Sequence, residues 1–138
     1  MSEIITDKLT GKTAAGNVTI TSEGGAATMQ LQQGVVKAWG YLNGDNTTFY
    51  DSFGMSSASD EGTGDTNFTL SSAMSSTNFA VTGAAGQTSD NEYATNFCAN
   101  NNTRTTTVFQ VKTGYAVASA DGAADRDVVC FNITGDLA

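Results

Sequence analysis

The chain has 138 residues, 39% of them hydrophobic and only 14% charged, with a net charge of −8 and neither histidine nor proline. That length fits one domain plus a short arm. The acidic balance excludes a binder of phosphate backbones or anionic membranes, and the missing imidazole excludes histidine-assisted nucleophilic catalysis.

The six bases, Lys8, Lys12, Lys37, Arg104, Lys112 and Arg126, are scattered and form no basic block. No stretch approaches the roughly 20 apolar residues of a membrane-spanning helix, so no membrane insertion is expected. The opening MSEIITDKLT lacks the apolar region of a signal peptide, and synthesis in a cytoplasm is expected.

Residues 1–33 contain no aromatic residue and only brief apolar clusters: Ile4 with Ile5, Val18 with Ile20, and Met29 with Leu31. Such a segment buries too little surface to offset an ordering cost of about 1–2 kcal/mol per residue. Its Val, Ile and Thr pieces predict an arm ordered against another copy or a larger partner. A flexible tail is the alternative.

Residues 34–138 read as all-β, because apolar residues recur with period two and helical periodicity is absent. The stretch VVKAWGYLNGDNTTFYDSF holds the only tryptophan, Trp39, with Tyr41, Phe49, Tyr50 and Phe53. Ala38, Gly40 and Leu42 fall on one face of its first strand and Trp39 and Tyr41 on the other. Apolar mass on both faces predicts a strand buried on two sides. Asn43-Gly44 predicts a tight hairpin with positive φ at both central residues. An aromatic side chain buries about 150–250 Å², so these rings are expected to pack in a core or between subunits. An exposed sugar-binding platform is the competing reading.

Further strands follow around Phe68 and Leu70, Phe79 and Val81, then Tyr93, Thr95 and Phe97. The last two are expected around Phe109 and Val111, and around Val129, Phe131 and Ile133. The expected core or interface anchors are therefore Trp39, Tyr41, Phe49, Phe53, Phe68, Phe79, Phe109 and Phe131. DEGTGD (60–65) and SADGAAD (119–125) read as glycine-containing loops. Their carboxylates offer oxygen donors for calcium without full EF-hand spacing, and plain turns are the ordinary alternative. No catalytic residue, metal or cofactor is expected. The Asn100, Asn101 and Asn102 run reads either as a receptor-contacting loop or as a solvated hairpin tip. Cys98 and Cys130 would reach a cross-strand disulfide if their strands were neighbours, whereas a reducing cytoplasm favours free thiols.

Several of these motifs occur together in an order that resembles a module of bacteriophage tail-fibre and virion structural proteins, especially those of marine phages. The resemblance rests on Lys37-Ala38-Trp39, Asn43-Gly44, Ser52-Phe53-Gly54-Met55-Ser56-Ser57, Asp60-Glu61-Gly62-Thr63-Gly64-Asp65 and Asn78-Phe79-Ala80-Val81. It runs from about Val35 to Thr134, with 106–134 similar to the family's closing strand pair. Gly54 departs from the usual asparagine, and the Cys98 strand with its asparagine-rich loop has no counterpart.

The resemblance implies a β-sandwich of jelly-roll type, commonly a homotrimer, on a fibre or virion surface. It implies a non-enzymatic protein that attaches to other virion proteins through residues 1–33 and contacts a host glycan or protein. A capsid decoration or head fibre fits the same features, and a monomeric carbohydrate-binding module is the reading of another class.

Overall fold

The computed structural model describes residues 4–11, 18–21, 24–25, 27–87, 94–100, 103–117 and 120–138. Tyr93, Asn101 and Asn102 lie outside them. The chain divides into two compact units, Met1–Val35 and Val36–Ala138.

In the first unit β1 (Thr19–Thr21) pairs antiparallel with β2 (Thr28–Gln30), placing Ile20 opposite Met29. One helical turn, α1 (Leu31–Gly34), follows directly. No described residue of this unit is buried: two three-residue strands offer one thin surface with nothing of their own to cover it.

The second unit is all-β, a sandwich-like stack of antiparallel sheets. Its strands are β3 (Val36–Asn43), β4 (Phe49–Phe53), β5 (Met55–Gly62), β6 (Asp65–Leu70), β7 (Ala80–Gly86), β8 (Ala94–Asn100), β9 (Val108–Val117), β10 (Ala120–Ala123) and β11 (Val128–Thr134). One sheet runs β4-β3-β11-β7. The other centres on the long β9, which pairs with β6 through its first half, with β10 through its last residues, and with β8. β5 flanks β6.

The two sheets meet through alternating residues. Val129, Phe131 and Ile133 of β11 are buried, as are Phe68 and Leu70 of β6 and Phe109 and Val111 of β9. Phe68 lies directly across from Phe109 in one sheet, their rings stacked with centroids 5.2 Å apart. Phe131 reaches them from the other sheet at 4.5 and 5.3 Å. Phe79, just before β7, meets Phe109 edge-on at 6.2 Å. Arg104 extends this cluster, its guanidinium 4.6 Å from the Phe79 ring centre and its Nη1 donating to the Phe79 carbonyl at 2.7 Å.

Two glycines carry the path between sheets. Gly54 is the single residue joining β4 of one sheet to β5 of the other, and it adopts φ +71°. Glycine and asparagine are the residues that enter this left-handed region at low cost, so the corner at position 54 favours one of these two. Gly64 closes the β5–β6 hairpin at φ +68°, where an added Cβ would lie 2.4 Å from the Thr113 carbonyl oxygen and 2.7 Å from the Ala124 nitrogen.

Two turn expectations are corrected. The Asn43-Gly44 pair does not form a two-residue turn; residues 44–48 make a longer loop in which Asn46, not Gly44, has positive φ (57°). The reason is tertiary: a Cβ at Gly44 would lie 3.0 Å from Asp127 Cα, and the Asn46 side chain is buried, donating to Asp125 Oδ1 at 2.9 Å. Within the same loop the Thr48 hydroxyl, then the Thr47 and Thr48 backbone N–H groups, hold the Asp45 pKa below the ordinary carboxylate range. The 119–125 segment is likewise not a plain loop, since 120–123 pair with β9 as β10. Asp125 Oδ1 also accepts from Gly64 N at 2.7 Å, so one carboxylate ties the β3–β4 loop to the β5–β6 hairpin.

Two substitutions test this account. Phe109→Ala is expected to destabilise the second unit by about 3–5 kcal/mol in denaturant titration, as core aromatic truncations do. Gly64→Ala is expected to cost about 1–3 kcal/mol from backbone strain alone, and more from the contact with Thr113. A Gly64→Ala variant as stable as the parent would show that this turn is not held as described.

Candidate functional site

β3 alternates, with positions 38, 40 and 42 facing inward. Ala38, Gly40 and Leu42 are buried, and a Cβ at Gly40 would lie 2.7 Å from Phe131 Cζ and 2.8 Å from Phe49 Cε1. The rings of β11 and β4 thus fill the space beneath β3 completely. Trp39 and Tyr41 must point to the opposite side. The expectation that β3 is buried on both faces is corrected for the single chain: Trp39 is 36% exposed, Tyr41 39% and Phe53 60%, so of the core-or-interface reading of these three the core half fails. Of the other expected anchors, Phe68, Phe79, Phe109 and Phe131 are buried, and Phe49 is half-buried against the core.

The register of the four-stranded sheet arranges the outward side chains in rows. In one row Phe53, Trp39, Asn132 and Thr82 stand side by side; in the next, Asp51, Tyr41, Cys130 and Ala84. A register shift between Tyr41 and Leu42 lets β4 turn Tyr50 outward, where its ring meets Tyr41 with centroids 5.0 Å apart. Tyr50 is 60% exposed. The Thr82 hydroxyl donates to Asn132 Oδ1 at 2.5 Å and so orients that amide. Of these, Trp39, Tyr41, Thr82, Ala84, Cys130 and Asn132 line an open groove of about 540 Å³ along β3, β11 and β7, with Phe53 and Tyr50 outside it on β4. Such a surface can hold a flat apolar or amphipathic partner, and its side-chain polar groups are the Asn132 amide, the Thr82 and Tyr41 hydroxyls, the Trp39 indole N–H and the Cys130 thiol.

The remaining candidates are dispersed. Ile4 and Ile5 of the first unit are almost fully exposed, Ile20 and Met29 about half exposed, and Val18 and Leu31 half-buried. Asn100 ends β8 with its amide donating to Gln110 Oε1, so this member of the asparagine run is engaged in its own sheet. Cys98 and Cys130 are exposed free thiols on strands of different sheets.

The acidic turns are used internally: Asp60 accepts from Gly62 N at 3.0 Å, and Asp65 pairs with Lys112 at 2.6 Å. The side chain of Asp121 lies outside the described residues. Among the described residues no three His, Cys, Asp or Glu side chains are grouped to hold a metal ion.

Sequence reasoning missed the groove's far wall, Cys130, Asn132 and Thr82. Their outward positions follow from the inward alternation of Val129, Phe131 and Ile133, but only pairing with β3 and β7 puts them beside Trp39. It also missed Arg126, which lies buried, donating through Nε to the Gly114 carbonyl at 3.1 Å and through Nη1 to Gln87 Oε1 at 2.8 Å.

No protein-family model, characterised protein or solved structure matches this chain.

The position of Trp39 has a direct test. Trp39→Ala is expected to cost the second unit clearly less than the 3–5 kcal/mol of a core aromatic truncation. A loss as large as that of Phe109→Ala would return the indole to the core.

Proposed function

We propose that this protein is a non-enzymatic structural protein of a bacteriophage virion. In this reading it is a homotrimer of jelly-roll-like β-sandwiches forming a short fibre of tail-fibre type, which contacts the host surface. The first unit attaches it to other virion proteins or intertwines with its sister copies. A decoration or head fibre on the capsid uses the same physics with a different docking place.

The observation that carries the reading is the uncovered first unit. Among its described residues Ile4, Ile5, Leu9, Ile20 and Met29 are exposed and Val18 and Leu31 only half-buried, in a chain otherwise sparing with such residues. Exposed aliphatics on short strands are stabilised by a partner, and an assembly supplies one. The motif order shared with virion modules points the same way.

The exposed Trp39 and Tyr41 favour a second reading, a monomeric carbohydrate-binding module that stacks sugar rings on its sheet.

Light scattering and sedimentation of the full chain, with a glycan array, separate the two. The virion reading expects a particle of three 14.2 kDa chains. It further expects Asp substitutions at Ile4 and Ile5 to abolish incorporation into particles while leaving the sandwich's melting transition in place. A stable monomer that binds sugar and loses it with Trp39→Ala would favour the module instead.

A further inference from the structure

We infer that the outward face of the four-stranded sheet, centred on Trp39, Tyr41 and Cys130, is the surface through which copies of this chain meet. The inference rests on the trimeric reading above and adds to it the location of the contact.

Three observations converge on a second copy as the occupant. The first is area. The four exposed rings, Trp39, Tyr41, Tyr50 and Phe53, together leave about 400 Å² of aromatic surface to solvent, given their fractional exposures and their sizes. That is about half of one partner's share in a standard protein interface, and enrichment in Trp, Tyr and Phe is what marks the centre of such interfaces.

The second is charge. Each chain carries −8, so copies repel wherever their acids face one another. The two rows of this face contain one charged residue, Asp51, at their β4 end. With one carboxylate across both rows, like-charged chains meet little repulsion over this face.

The third is continuity with an open edge. β4 ends its sheet and pairs only with β3 among the described residues, and it carries both Tyr50 and Phe53. The chain has no proline to blunt that edge. A neighbouring copy laid over the rings covers the open edge at the same time.

Cys130 reports on the contact because it sits in the middle of the face, beside Tyr41, while Cys98 lies on the other sheet. Both thiols are exposed in the single chain. The experiment is iodoacetamide alkylation of the full-length protein at concentrations where it is oligomeric, read by peptide mass mapping, with sedimentation run in parallel.

The expected result is a trimer in which Cys130 is alkylated about tenfold more slowly than Cys98. Tyr41→Lys is expected to give monomers with an unchanged circular-dichroism spectrum, in which Cys130 reacts as fast as Cys98. Should that variant fail to fold, the protection of Cys130 in the unsubstituted trimer decides by itself. A trimer whose Cys130 reacts as fast as Cys98 would overturn this surface and leave the trimeric reading intact. A stable monomer would overturn both, and Trp39-dependent sugar binding by that monomer would assign the face to a glycan.

Discussion

Phe68, Phe109 and Phe131 touch one another across the gap between two sheets, and most of the second unit is arranged around that contact. Phe68 and Phe109 are cross-strand partners and Phe131 comes from the opposite sheet, so the trio sets both a register and a sheet spacing. Each ring contributes about 150–250 Å² of buried surface in a chain with few leucines and isoleucines. Losing one would leave a cavity among Leu42, Leu70, Met74, Val111, Val129 and Ile133, into which the core relaxes only partially.

From that packing follows the direction of everything on β3. Phe131 and Phe49 occupy the space beneath Gly40, so position 40 admits no side chain on the inward face. The large residues, Trp39 and Tyr41, are displaced to the outside. An aromatic outer face is thus a consequence of how the core is filled, and it leaves the sheet with a surface whose apolar character calls for a partner. The corner at Gly54 and the Asp125 carboxylate that joins two loops hold the strands bearing that face in place.

The two units differ in kind. The sandwich has its own core, whereas the 1–35 unit has strands without a buried side. In the proposed reading the first unit gains stability from a partner and the second from its own core. Attachment to a larger particle, with sister copies packed through the sandwiches, accommodates both halves in one proposal.

Much of the strand pattern is legible in the residue order alone. Alternation in 128–134 and 65–70 places Val129, Phe131, Ile133, Phe68 and Leu70 inward, because a β-strand's side-chain period of two leaves no other arrangement. The glycines of 60–65 mark a hairpin because the turn demands positive φ. The change of composition near residue 34 marks a segment without the means to build a core. The expectation that fails is burial of β3 on both faces: both carry apolar residues, and alternation is silent on which of them faces in. Phe131, 91 positions beyond Gly40, made that choice by occupying the space. Asn46 rather than Gly44 took the left-handed conformation, and Arg126, flanked by two aspartates, went inside. Each was decided by contacts between residues far apart in the chain, which local propensity does not encode.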